Sequence, residues 1–341
     1  MSTPSVREVA LDPEWIPHAF DRDGEHLTSV LVPSASRKEL VFLTEGRFRG
    51  GFQKVTVPTA EVDVEAAAAP QAPLHFIFHT SFCCSTLLAN ALDIAGVATS
   101  LSEPNILVNL AEDVIQSGRL NQPGLELSLR LLARPFGSGE SVIVKPSSFA
   151  NRLVEPILKL RPGSRAVLLY SDAATFLGSV VRRGLLGRIN ARKLYRNLAS
   201  WASLDFGFSP AETFEQTDLQ VAALAWLMQI AHFDLLTKSL DVERVLVLDA
   251  AELIADPAIG LDRVQSFFGL RLNDKQIGEI VGGPVFSKHS KFADLDYDSE
   301  ARERDRDTLM KVHAEELGMV IQWLNAVAEH LRVPLRPGTG T

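Results

Sequence analysis

The chain has 341 residues, 46% hydrophobic and 22% charged, with a formal net charge of -8. That size and balance supply a full globular core and exclude a disordered or fibrous chain. The acidic balance excludes general nucleic-acid binding, although it leaves room for one local basic pocket.

No run approaches the roughly 18 apolar residues needed to span a bilayer, so no transmembrane segment is expected, and "MSTPSVREVALDPEW" lacks a basic start followed by an apolar stretch. The only cysteines, Cys83 and Cys84, are neighbours and read as free thiols, so a cytoplasmic location is expected. The eight histidines show no ligand spacing, so no protein-held metal is expected.

Residues 1–66 contain "LTSVLVP", "ELVFLTEGRF" and "FQKVTVP", which predict the strands of a small β-rich appendage. An alanine and proline tract at 67–73 reads as a linker into a main domain at 74–341. There, short apolar runs alternate with helical patterns. "LHFIFH" leads into "STLLANALDIAG", "SVIVK" into "SFANRLVEPILKL", and "RAVLLY" into "AATFLGSVVRRG". "ERVLVLD" follows the long helical stretch "TDLQVAALAWLMQIAHFDLLTKSL".

Continuous apolar strands are buried on both faces, so the expected fold is α/β, an open parallel sheet with helices on both sides. The C-terminal region reads as helical, with helices at "PAIGLDRVQSFFGL" and "NDKQIGEIVGG", an irregular "PVFSKHSKFADLDYDSE" and a long helix from about Ser299 to Arg332. Ligands of such sheets sit at the carboxyl ends of the strands, which directs attention to the loops after "FIFH", "VIVK" and "VLLY".

"FIFHTSFCCSTLL" is a strand, a turn of small residues and a helix start. A turn of this kind can hold phosphate through backbone N–H groups and the helix dipole. Against the nucleotide loop GxxxxGK[ST], aligned on Thr86, the four defining positions hold His79, Cys84, Ser85 and Thr86, and only the last fits. The segment from Leu74 to about Leu270 resembles instead the PAPS-dependent sulfotransferases, particularly the bacterial and tyrosylprotein branches, whose first strand and turn read "FIVGxPRSGTTLL".

The resemblance implies a P-loop-type fold, PAPS as cofactor without a metal, and sulfuryl transfer to a hydroxyl or amine of a small-molecule, lipid or glycan acceptor. It implies a cofactor loop of Thr80, Ser81, Phe82, Cys83, Cys84, Ser85 and Thr86. Within it Ser85 and Thr86 match the threonines that hold the 5′-phosphosulfate end. Phe82 stands where the family carries Lys or Arg, Cys83 where it has serine and Cys84 where it has glycine.

The later landmarks follow in order. "SLSEPNIL" resembles the Glu-Pro that supplies the base, which implies that role for Glu103, while helix capping at Ser102–Asn105 remains an alternative. "SVIVKPSSF" resembles the family's "KTP" segment and implies Lys145 as a cation at the transferred group, against a lysine snorkelling from the sheet edge. "RAVLLYSDAATFLGSVVRRG" resembles the segment that reads the 3′-phosphate through an Arg and a Ser. Ser171 occupies the arginine position and Ser179 the serine position, with Arg182 and Arg183 one turn on.

"FSKHSKF" resembles a late loop over the 3′-phosphate and implies Lys288 there, against a solvated basic loop. Two other readings stay open. Asp249, ending "ERVLVLD", matches the acid that accompanies magnesium in a P-loop kinase or hydrolase. A non-catalytic protein that binds a phosphorylated ligand or a protein is the other, and the appendage could be an acceptor-site lid or a homodimer contact.

Overall fold

The structure, a computed structural model, describes residues 3–48, 51–287 and 312–339. Strands β1 (Trp15–Phe20), β2 (His26–Leu31) and β3 (Lys54–Pro58) form an antiparallel sheet in the order β1-β2-β3. "LTSVLVP" and "FQKVTVP" thus supply β2 and β3, as expected, but "ELVFLTEGRF" forms no strand and ends in a 3₁₀ turn at Glu45–Arg47. Its backbone is used elsewhere. The Leu43 N–H donates to the Ser102 carbonyl (2.8 Å), and the Leu43 carbonyl accepts from the Asn105 N–H (3.2 Å). The third strand is "WIPHAF", which tolerates Pro17 because β1 lies at the sheet edge and its register shifts between Pro17 and Ala19.

The main sheet contains β4 (Leu74–His79), β5 (Ala98–Ser102), β6 (Ser141–Lys145), β7 (Ala166–Tyr170) and β8 (Val245–Asp249) in the order β5-β6-β4-β7-β8. Strand β6 pairs in parallel with both β4 and β5. Every residue of the interior strands β4 and β7 is buried, whereas the edge strand β8, also apolar over Val245–Leu248, is mostly half-buried. This is the α/β parallel sheet the sequence predicts. The order turns at β4, so the loop leaving β4 stands at the topological switch point of the sheet.

The described residues fall into two compact units. One takes the chain through Phe78, Ser85–Val167 and the helices after Asp256; the other takes His79–Cys84, Leu168–Ala255 and the C-terminal helix Ala314–His330. The predicted start of that helix near Ser299 lies outside the described residues.

In the second unit the helix Asp218–Ser239 opens on a capping box formed by Thr217 and Gln220. The expectation that no segment reaches membrane-spanning length needs correction here. An 18-residue window of this helix has a mean hydropathy of 1.4, long and apolar enough to cross a bilayer. Polar Gln229 and Asp234 break the run in sequence without lowering the mean enough. The window is 78% buried, as in the core helix of a folded unit.

His75 lies within β4 in the first unit, its Nδ1 accepting the Arg165 N–H (3.2 Å) and its ring stacked on Phe268 (5.0 Å between centroids). Burial, with the Arg165 charge second, lowers its pKa to about 4 from 6.5. A histidine so depressed takes up its proton in the unfolded chain first, so stability falls as pH drops from about 6.5 towards about 4. The loss is expected to reach roughly 3 kcal/mol, at 1.36 kcal/mol per unit. Urea unfolding across that range tests it, and His75→Phe should flatten this part of the profile.

Candidate functional site

Strand β4 delivers the chain into a turn, Thr80–Cys84, that runs directly into the helix Ser85–Ala91. The turn contains no glycine, yet Ser81 (φ 68°), Phe82 (φ 52°) and Cys84 (φ 60°) all adopt the left-handed conformation. Each such residue costs about 1–3 kcal/mol, and such strain gathers at functional sites. The positive φ at Cys84 accounts for the glycine that the resembling loops carry at that position, since glycine adopts it freely.

The surrounding second unit pins the turn. The Thr80 N–H donates to the Leu169 carbonyl (3.1 Å), the Ser81 N–H to His79 Nδ1 (3.0 Å) and the Cys83 thiol to the Leu169 carbonyl (3.4 Å). Gln229 Nε2 donates to the Thr80 carbonyl (3.2 Å). Neither cysteine is in a disulfide.

The hydroxyls of Thr80, Ser85 and Thr86 are buried and take no hydrogen bond among the described residues. A buried hydroxyl without a partner costs about 1–3 kcal/mol, so three within seven residues call for a ligand or water to satisfy them. Ser85 and Thr86 are the residues expected to hold an anionic cofactor end, and their chemistry fits that group.

In the first unit the register of the sheet builds an ion pair. Ser102 lies opposite Lys145, so Glu103, the next residue, meets the end of β6. The Glu103 N–H donates to the Lys145 carbonyl (2.6 Å), and Lys145 Nζ donates to Glu103 Oε1 (2.6 Å). Lys145 is fully buried, so it does not snorkel, while the Glu103 side chain is 19% exposed and its Oε2 takes no hydrogen bond from a described residue. Glu103 is left-handed (φ 54°) and caps nothing, because Pro104 is the N-cap of the helix Asn105–Ser117 and offers no side-chain bond.

Sequence reasoning missed Phe42, whose ring lies 5.0 Å from Lys145 Nζ. Its apolar neighbours suggested a strand, and no local signal marks an aromatic ring destined for a buried ammonium.

In the second unit Ser171 follows β7; its carbonyl accepts from Trp226 Nε1 (2.9 Å), and its buried hydroxyl has no partner among the described residues. Ser179 is engaged, donating to the Thr175 carbonyl (2.9 Å) and accepting from Arg182 (2.5 Å). Phe82, at the family's cation position, packs edge-on against Phe176 (5.5 Å), and the Arg183 guanidinium covers its ring at 5.2 Å. A positive charge therefore reaches the turn from the junction between the helices Ala173–Arg182 and Gly184–Ala199. The doubled arginine in "VVRRG" was its only signal in the sequence.

Asp249 accepts the Ala251 N–H (2.8 Å) and a hydrogen bond from Tyr170, whose pKa is pushed up to about 12 by burial and this carboxylate. That use differs from the magnesium role considered for it, and among the described residues no group of three or more His, Cys, Asp or Glu side chains could hold a metal. Lys288 lies outside the described residues.

No protein-family model matches the sequence, and no curated protein matches it. Among solved structures the chain is similar to the sulfotransferase STF1 from Mycobacterium tuberculosis H37Rv, at 13% identity over 73% of this chain and 78% of that one, with a TM-score of 0.44. It is similar to the sulfotransferase STF9 from Mycobacterium avium at 13% identity, over 75% and 79% of the two chains, with a TM-score of 0.42. Mouse sulfotransferase SULT7A1 complexed with PAP is similar at 11% identity, over 74% and 89%, with a TM-score of 0.35. These three solved structures are sulfotransferases, and at 11–13% identity the likeness is one of fold.

Proposed function

We propose that this protein is a sulfotransferase-like enzyme that moves a sulfuryl group from PAPS to a hydroxyl or amine of a small-molecule, lipid or glycan acceptor, working in the cytoplasm. The observation that carries the reading is the buried Lys145 at 2.6 Å from Glu103, whose second carboxylate oxygen is left for a proton. When bound, the cofactor supplies an activated sulfuryl group. Ser85 and Thr86, with their unsatisfied hydroxyls, are the residues that would hold its 5′ end, and Ser171 and Ser179 those that would hold its 3′-phosphate.

Glu103 accepts the acceptor proton at Oε2, while the ammonium of Lys145 on Oε1 fixes the carboxylate's orientation. Lys145 supplies positive charge from a water-excluded position, where it is stronger than in solvent. Arg183 restores to the Phe82 position a charge the turn itself lacks. On this reading Glu103→Gln lowers turnover about 10²–10⁴-fold, the usual range for a general base.

The test begins with binding. Adenosine 3′,5′-bisphosphate is expected to bind in titration calorimetry, and Thr86→Ala to weaken it about tenfold, the loss of one hydrogen bond to a charged group. ATP with magnesium is the parallel ligand. Binding of ATP alone would turn the reading towards a kinase or hydrolase, and binding of neither would remove both enzyme readings.

A further inference from the structure

Residues 173–204 contain no Asp or Glu, in a chain of net charge -8, yet hold Arg182, Arg183, Arg188, Arg192, Lys193 and Arg196. Their centre is the helix Gly184–Ala199 of the second unit. One face of that helix, Gly187, Ala191, Leu194 and Leu198, is buried. Gly187 is pressed so closely on the preceding helix that a Cβ would lie 2.3 Å from the Val180 carbonyl oxygen, which fixes the helix's rotation.

The helical repeat then sends Leu185, Ile189, Arg192, Lys193 and Arg196 to the opposite face, with Leu186 on its flank. Leu185 is 72% exposed, Leu186 70% and Ile189 39%. Arg188 and Arg192 are held by Asp218, and Arg188 also approaches Glu316. Arg183, Lys193 and Arg196 form no ion pair with a described carboxylate.

We infer that this face docks the protein on an anionic membrane surface, with Leu185, Leu186 and Ile189 entering the acyl boundary and the basic side chains on lipid phosphates. Exposed aliphatic side chains beside cations on one face of a helix are the pattern of an interfacial helix. A nucleic acid would leave the two leucines without a role. A two-fold contact with a second copy would set this basic face against itself. The inference does not depend on the proposed transfer reaction, although it would bring the Phe82 turn, covered by Arg183, to a surface where lipid-borne acceptors reside.

The experiment is sedimentation of the full chain with vesicles of phosphatidylcholine alone and of equal parts phosphatidylcholine and phosphatidylglycerol. Binding to the anionic vesicles only, weakened by salt, is expected. Lys193→Gln with Arg196→Gln should lower partitioning about 25-fold, at about fivefold per cation near an anionic surface. Leu185→Glu with Leu186→Glu should abolish it, while Lys275→Gln, on an exposed lysine of the first unit, should leave it unchanged.

All these side chains are exposed, so unchanged thermal melting is expected to show that each variant folds. Binding to neither vesicle, equal binding to both, or binding that survives the leucine substitutions would overturn the inference. So would a dimer in sedimentation velocity that the leucine substitutions dissociate, since the face would then cover a second copy.

Discussion

Glu103→Ala is expected to cost about 3–5 kcal/mol of stability and Lys145→Met distinctly less, although each removes the same 2.6 Å hydrogen bond. The asymmetry comes from burial. Lys145 is fully buried and the Glu103 side chain is 19% exposed, so loss of the glutamate leaves an ammonium without its counter-charge where water does not reach. The Phe42 ring at 5.0 Å offsets only part of this, since a cation over an aromatic face contributes about 0.5–2 kcal/mol.

Loss of the lysine instead leaves a carboxylate that water can reach. The methionine fills the lysine's space with apolar atoms and keeps a favourable sulfur contact with the same ring. Urea unfolding of the two variants at neutral pH reads the difference directly. Equal costs, or a larger cost for Lys145→Met, would show that the buried ammonium is satisfied by something other than Glu103. The double substitution completes a cycle whose coupling measures the pair itself.

Lys145 drew attention as the charged end of an apolar strand, whereas Glu103 drew it only through the Glu-Pro that "SLSEPNIL" resembles. Their pairing was not legible. It depends on Ser102 lying opposite Lys145, a register between strands separated by two helices that no local pattern encodes. The mainly apolar runs of β4 and β7 are legible as strands, since burial on both faces leaves a compositional mark that needs no partner to interpret.

The turn after β4 was half legible. Its position between a strand and a helix announced it, but left-handed backbone is normally signalled by glycine, and here Ser81, Phe82 and Cys84 carry it instead. The apolar "ELVFL" failed as a strand for the opposite reason. Its hydrophobicity is spent on docking, with Leu43 bonded to both sides of Glu103, and an apolar run alone cannot distinguish pairing from packing.

Arg134→Met is expected to cost about 3 kcal/mol or more and to loosen the N-terminal appendage before the rest of the first unit. Arg134 is 1% exposed and has no carboxylate partner among the described residues; its guanidinium donates to the Leu131 carbonyl (2.7 Å), the Val9 carbonyl (2.7 Å) and the Trp15 carbonyl (2.5 Å). Burial lowers its pKa to about 9, with only the charge of Asp12 acting in the other direction, so the group stays charged at neutral pH at some cost. Three charge-assisted bonds offset that cost.

Methionine removes the charge and its desolvation, but strands three buried carbonyls at about 1–3 kcal/mol each, and the second effect is the larger. Arg134→Lys should rescue little, because a compact ammonium lacks the planar fork that reaches carbonyls on three separate segments. Two of those carbonyls belong to the helix Val6–Leu11 and to β1, so the loss falls on the appendage. Limited proteolysis should cut the variant first between residues 3 and 48, and hydrogen exchange should rise there ahead of β4, β5 and β6. Uniform loss of protection across the unit would mean that Arg134 supports the core as a whole rather than the N-terminal helix and sheet.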